Sequence, residues 1–292
     1  MSRIAYVNGR YLPHAAAGVS IDDRGYQFGD GVYEVCEIRD GALVDEARHL
    51  ARLERSLAAL RMAAPMSAPA LRFILREIVR RNHVRDGLVY VQATRGVARR
   101  DHVFPEPAGT ASLVVAARSI DRRIGEARAA NGVRVVTMAD QRWARPDIKS
   151  LQLLPNVLAR QAARDRGAYE AWLVDAQGYV TEGAATNAWI VTPQGGLVTR
   201  RADETILHGV ARATLLTLAR AEGLAFEERA FLAEEAYGAR EAFLTSAINV
   251  VMPVVAIDDR SIGDGRPGPV ALSLRGKFHA FAEISSLTQR AP

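Results

Sequence analysis

The chain has 292 residues, 49% of them hydrophobic, and a single cysteine, Cys36. That is apolar material enough for a sizeable core in two globular domains, and it excludes a disordered chain and a disulfide scaffold. The net charge of +5 and pI of about 9.6 are compatible with nucleic acid. However, basic residues alternate with acids in stretches such as Arg48-His49-Leu50-Ala51-Arg52-Leu53-Glu54-Arg55, and there is no basic tail or aromatic stacking motif, so nucleic acid is not an expected partner. No run approaches the roughly 18 apolar residues of a membrane span, and Met1-Ser2-Arg3-Ile4 leads into no apolar leader, so no membrane is expected and a cytoplasmic enzyme is. The histidines (His14, His49, His83, His102, His208 and His279) are scattered, and with one cysteine no metal-ligand spacing can be written.

In chain order, strands are predicted at Ile4 to Val7 and Val32 to Arg39, each ended by a turn signal, Asn8-Gly9 and Asp40-Gly41, which implies two hairpins. Leu50, Leu53, Leu57 and Leu60 then fall at helical spacing over 49–62, and Leu71, Ile74, Leu75, Ile78 and Val79 repeat the pattern. Strands return at Leu88 to Thr94 and Ser112 to Ala117. The polar stretch that follows is the expected boundary, giving a smaller N-terminal domain over 1–118, a linker over 119–130 and a larger mixed domain over 131–292. In the latter, strands are expected at Val133 to Met138, Ala171 to Val174, Ala188 to Thr192 and Ala242 to Thr245. Helices are expected at Pro155 to Arg166, closed by Gly167, at Gly209 to Ala221, closed by Gly223, and at Pro269 to Ile284. There is no strict βαβ period and no Gly-x-Gly-x-x-Gly at a strand end, so the expected class is α+β in two domains.

Of the 38 basic residues only Lys149 and Lys277 are lysines. Arginine stays protonated and offers no free amine, whereas lysine can lose its proton and attack a carbonyl, so a lysine in such a chain is a candidate nucleophile. Lys149 lies in the short passage Arg145-Pro146-Asp147-Ile148-Lys149-Ser150-Leu151 with apolar neighbours. Lys277 lies among polar neighbours on a late helix and reads as a solvated cation. Thirty-three residues after Lys149 comes Thr181-Glu182-Gly183-Ala184-Ala185-Thr186-Asn187, an acid followed by a small-residue turn that lets backbone approach a ligand. Ile206-Leu207-His208-Gly209-Val210-Ala211-Arg212 opens a helix, where free N–H groups suit an anion. Thr245-Ser246-Ala247-Ile248-Asn249 is a third such turn.

Together with Phe28-Gly29-Asp30-Gly31-Val32-Tyr33-Glu34, His49-Leu50-Ala51-Arg52-Leu53 and Pro267-Gly268-Pro269, these segments resemble, in the same order and nearly end to end, the fold-type IV (class IV) aminotransferases that use pyridoxal phosphate. The resemblance implies a two-domain fold-type IV enzyme whose C-terminal domain binds pyridoxal 5'-phosphate. It makes Lys149 the Schiff-base lysine that also moves the Cα proton, and Glu182 the partner of the pyridine nitrogen. Arg52 becomes the phosphate arginine, helped by backbone of Val210 and Ala211 and of Ser246, Ala247 and Ile248, and Tyr33 lies beside the lysine on the substrate side. Thr94-Arg95-Gly96-Val97-Ala98-Arg99-Arg100-Asp101-His102-Val103-Phe104-Pro105 is similar to the carboxylate-binding loop of the D-amino-acid (D-alanine) aminotransferases, with Arg100 and His102 as the pair. It implies a homodimer in which this loop serves the neighbouring subunit.

The chain departs from the pattern at Ala184 and Ala185, where serines are expected, and at Ala247-Ile248, where threonines are. Each lost neutral hydrogen bond weakens cofactor binding by roughly 0.5 to 1.5 kcal/mol unless Thr186, Ser246 or water compensates. The expected activity is transfer of the amino group of a D-amino acid such as D-alanine to 2-oxoglutarate. The alternatives are a branched-chain L-amino-acid aminotransferase or an aminodeoxychorismate lyase of the same frame and, outside enzymes, an arginine-rich binding protein.

Overall fold

The computed structural model describes residues 3–285; Met1 and Ser2, and residues 286–292 of the larger predicted domain, lie outside the described residues. Two compact units form. Of the described residues, the first takes 3–122 together with Ile148–Gln152 and 283–285, and the second takes Arg123–Asp147 and Leu153–Ala282.

In the first unit the elements run β1 (Ile4–Val7), β2 (Arg10–Pro13), α1 (Arg24–Phe28), β3 (Gly31–Arg39), β4 (Ala42–Val44), α2 (Glu46–Ala59), α3 (Ala68–Arg81), β5 (Gly87–Thr94) and β6 (Ser112–Ser119). Both predicted hairpins form, and both turns take two consecutive positive φ angles, Asn8 at 45° with Gly9 at 89° and Asp40 at 50° with Gly41 at 82°. That geometry follows strand twist and favours Asn-Gly and Asp-Gly. The sheet order is β2-β1-β6-β5-β3-β4, with Ile284–Ser285 pairing β4 on the outer edge. Helices α2 and α3 lay Leu50, Leu53, Leu57, Leu71, Ile74, Leu75 and Ile78 on Val32, Ile38, Val89, Val91 and Val115 of the sheet; each such side chain, fully buried, contributes about 1.5–3 kcal/mol. Leu60 lies just past the end of α2 and is only partly buried against this core.

In the second unit follow α4 (Arg122–Asn131), β7 (Val133–Ala139), α5 (Leu154–Asp165), β8 (Glu170–Val174), β9 (Val180–Gly183), β10 (Asn187–Val191), β11 (Leu197–Thr199), α6 (Val210–Ala221), β12 (Phe226–Glu228), α7 (Ala233–Tyr237), β13 (Glu241–Ser246), β14 (Val250–Ile257), β15 (Arg260–Ser261) and α8 (Pro269–Phe281). The mixed sheet runs β12-β11-β10-β13-β14-β7-β8-β9, with β14/β7 and β7/β8 parallel. Trp172, Ile190, Leu244 and Met252 anchor its core. Gly167 and Gly223 follow α5 and α6 with φ of 70° and 67°, the left-handed stop that glycine supplies.

Three departures from the sequence reading are physical. The stretch 119–130, read as linker, carries most of α4, whose weak amphipathy hid it. Central strand β14 was not predicted, because Pro253 interrupts its apolar run; β7 pairs with it only from Val254 onward, so the proline sits beyond the last rung on that side. Ile148–Gln152 groups with the first unit. Tyr33 N donates to the Lys149 carbonyl at 3.0 Å and Leu151 N to the Gly31 carbonyl at 3.0 Å, which caps the part of β3 that the three-residue β4 leaves bare.

Candidate active site

Alternation along β3 sends Tyr33 and Val35 to one face and Val32, Glu34 and Cys36 to the buried one. The lysine segment beside this strand places Lys149 Nζ where it donates to the Tyr33 hydroxyl at 3.3 Å and lies 4.3 Å from the ring centroid. Lys149 and Tyr33 are thus brought together. Tyr90 stands beside Tyr33, ring centroids 5.8 Å apart; burial, then the neighbouring Tyr33, push its hydroxyl up to about 12, so it acts as a neutral donor, to Gln92 Oε1 at 2.7 Å. Lys277, by contrast, pairs with Glu222 on a half-exposed face.

On the buried face of β3, Arg52 is no surface cation. It is 6% exposed, its Nε donating to Glu34 Oε1 at 2.7 Å and its Nη2 to Oε2 at 2.8 Å, a bidentate fork that fixes the guanidinium plane. His49 Nδ1 lies 2.8 Å from the same Oε2. Burial alone would push the Glu34 carboxyl up; Arg52, and after it His49, more than reverse that and hold it well below the usual carboxylate range. His49, Arg52 and Ser56 share one face of α2 by helical spacing, and the Ser56 hydroxyl accepts from the Lys149 backbone N–H at 3.3 Å.

In the second unit, Glu182 is buried on β9. Its Oε1 accepts from the Leu207 backbone N–H at 2.9 Å and from Arg142, and its Oε2 accepts from Asn187 Nδ2 at 2.8 Å. Arg142 also forks onto Asp140, Nε to Oδ1 at 2.9 Å and Nη2 to Oδ2 at 2.7 Å. The Thr181 hydroxyl donates to that Oδ2 at 2.8 Å. Two carboxylates around one guanidinium leave a net negative charge, the complement of a cationic ring nitrogen. Asn187 Nδ2 donates as well to the Leu207 carbonyl at 3.0 Å, and a Cβ on Gly209 would stand 2.0 Å from Asn187 Oδ1, so only glycine lets the chain pass there into α6. Val210 and Ala211 open that helix and are buried. Ser246 ends β13, its hydroxyl accepting from Asn249 N at 3.1 Å; Ala247 follows, and Ile248 is 40% exposed. Thr186, expected as a replacement donor, is buried and gives its hydroxyl proton to Glu170 at 3.3 Å.

Arg100 and His102 occupy the exposed loop after β5. Both rest on the Phe28 ring, the Arg100 guanidinium 5.2 Å from its centroid and the imidazole 5.4 Å. Among the described residues, no group of three or more His, Cys, Asp or Glu side chains is placed to hold a metal ion, and no helix is long and apolar enough to cross a membrane.

The family described as amino-transferase class IV matches residues 31–257. A D-alanine aminotransferase of Bacillus licheniformis is 41% identical over 268 residues, covering 92% of this chain and 93% of that protein. One from Staphylococcus haemolyticus is 36% identical, covering 96% and 98%. The chain belongs to the class IV aminotransferases. A branched-chain amino acid aminotransferase from T.th., solved with pyridoxamine 5'-phosphate, agrees with a TM-score of 0.90 at 28% identity over 99% of both chains.

The fold is therefore the two-domain α+β fold of type IV, and like its class this aminotransferase depends on pyridoxal phosphate, with amino and 2-oxo acids as substrates. The residues of each unit fit that group chemically: the first unit holds a primary amine on a segment tied to β3, and the second an acid network with one negative charge in excess. The sequence reading missed Asp140 and Arg142, which read as one more charged pair in a polar passage. It quoted Glu34, His49 and Asn187 only as parts of motifs, without their hydrogen-bonding work. The i, i+3 spacing of His49 and Arg52 opposite an acid on a core-facing strand position was the available signal.

Proposed function

We propose that this aminotransferase takes the amino group of a D-amino acid of the D-alanine type and passes it to a 2-oxo acid such as 2-oxoglutarate. The observation that carries the reading is the pairing of Arg100 and His102 on the Phe28 ring. A guanidinium fork beside an imidazole donor suits a substrate α-carboxylate.

When bound, pyridoxal phosphate supplies an aldehyde that condenses with amines and a ring that draws off the electron pair released at the substrate Cα. Lys149 is the catalytic residue; its Nζ moves the proton at that carbon. The Tyr33 hydroxyl, accepting from this amine at 3.3 Å, sets the direction in which it points. Glu182 would hold the ring nitrogen, its charge sustained by the Arg142 and Asp140 network. Arg52, oriented by Glu34, would hold the phosphate, joined by the backbone N–H groups of Val210 and Ala211 at the start of α6 and by the Ser246-Ala247-Ile248 turn. Arg100 and His102 bind the α-carboxylate. They serve the partner's site in a homodimer, and the enzyme works in the cytoplasm.

The test is a half-reaction absorbance scan of the purified holoenzyme against D- and L-amino acids. D-Alanine is expected to convert the cofactor and L-leucine to leave it unchanged; conversion by L-leucine alone overturns the D-specific reading in favour of the branched-chain activity named for the structural neighbour. Mixing Lys149→Ala and Arg100→Ala chains checks the dimer. Recovered activity is expected if the loop acts on the partner, and none if it acts within its own chain.

A further inference from the structure

The loop that carries Arg100 and His102 is exposed at its tip, yet its backbone is held from below by one buried group. Arg24, the first residue of α1, is 3% exposed. Its Nη1 donates to the Asp101 carbonyl at 2.5 Å and to the Val103 carbonyl at 3.2 Å, the two peptide oxygens on either side of His102. Its Nε donates to Asp30 Oδ2 at 2.8 Å, and its guanidinium lies 4.9 Å from the centroid of Phe28, the ring on which Arg100 and His102 rest. Asp30 is itself clamped by Arg95 at the start of the loop, Nε to Oδ2 at 2.8 Å and Nη2 to Oδ1 at 2.9 Å. Arg95 in turn covers Phe104 at the far end, 3.7 Å from the ring centroid.

We propose that Arg24 is a positioning residue for the substrate carboxylate: by pinning the peptide oxygens before and after His102 and backing Phe28, it presets the angle between His102 and Arg100. This rests on the reading of that pair as the carboxylate site. Three oxygens and a ring face must be met at once by one rigid planar donor. An ammonium is a single point and cannot span them. Held loosely, the pair still carries its charge but loses preorganisation, so the loss falls on binding of carboxylate-bearing substrates and leaves the chemistry at the amine untouched.

The experiment is a single-turnover half-reaction of holoenzyme with D-alanine and with ethylamine, the same amine without its carboxylate, in the parent, Arg24→Met, Arg24→Lys and Arg100→Ala. Arg24→Met is expected to raise the half-saturating D-alanine concentration roughly tenfold, as for loss of a charged hydrogen-bond anchor, with the saturating rate and the ethylamine reaction unchanged and Arg24→Lys in between. Equal losses for D-alanine and ethylamine would mark a merely structural role and overturn the proposal, and so would an unchanged D-alanine half-saturation. Should Arg24→Met not give folded holoenzyme, Arg24→Lys, which keeps the charge, decides by the same comparison. If Arg100→Ala itself leaves D-alanine binding intact, the carboxylate assignment fails first; if Arg100→Ala weakens it and the Arg24 variants do not, only the role of Arg24 fails.

Discussion

The two units solve the problem of a buried charge in opposite ways. Around β3 one carboxylate, Glu34, serves a cation: both its oxygens go to fixing Arg52, with His49 in support. Around β9 one cation, Arg142, serves two carboxylates, Asp140 and Glu182. The first cluster spends its acid on the direction of a guanidinium. The second keeps a negative charge in excess. Both use the same bidentate chemistry, and the ratio of acid to base decides whether the cluster presents a donor to an anion or an acceptor to a cation.

That contrast can be broken in stages. Lys149→Ala, which touches neither cluster, is expected to lower transamination by about 10³-fold while urea unfolding stays unchanged, which separates the chemistry from the two charge networks. Glu34→Gln strips the buried Arg52 of its counter-charge and is expected to cost about 3 kcal/mol of stability in urea unfolding, with weaker cofactor retention on dialysis. Its pH dependence sharpens the point. The Glu34 carboxyl lies below its ordinary value of 4.5 in the folded chain, so its contribution is complete above that pH and is lost as pH falls below it. The parent should therefore lose stability more steeply than Glu34→Gln on the acid side. Glu182→Gln is expected to lower kcat about 100-fold with little change in unfolding. Asp140→Asn, which brings the Arg142 cluster to neutrality and keeps Glu182, is expected to cost about tenfold in kcat; an effect as large as that of Glu182→Gln would mean that the two acids are not ranked as described.

Most of what is local was legible in the sequence. Asn8-Gly9 and Asp40-Gly41 announce their turns because few other residues take two positive φ angles in succession, and the leucines of α2 and α3 announce their buried faces by period. Lys149 stood out because arginine fills nearly every other basic position. What stayed hidden was decided by neighbours remote in sequence. Pro253 argued against a strand whose missing rung lies at a position β7 does not pair. Arg24 and Arg142 looked like two more arginines, and only the burial of their own side chains, 4% and 7% exposed, distinguishes them from the exposed Arg99. Arg52 needed the family pattern to be noticed and the structure to show Glu34 behind it.

The five residues around Lys149 give the first unit an unusual debt to distant sequence. A ribosome that has released residues up to Arg122 has made the sheet without the segment that caps β3 and without Ile284–Ser285 on β4. The nascent sheet keeps bare edges of the kind that invite wrong pairing. Cutting the gene after Arg122 would leave that sheet without either piece, and Lys149 would travel with the other fragment.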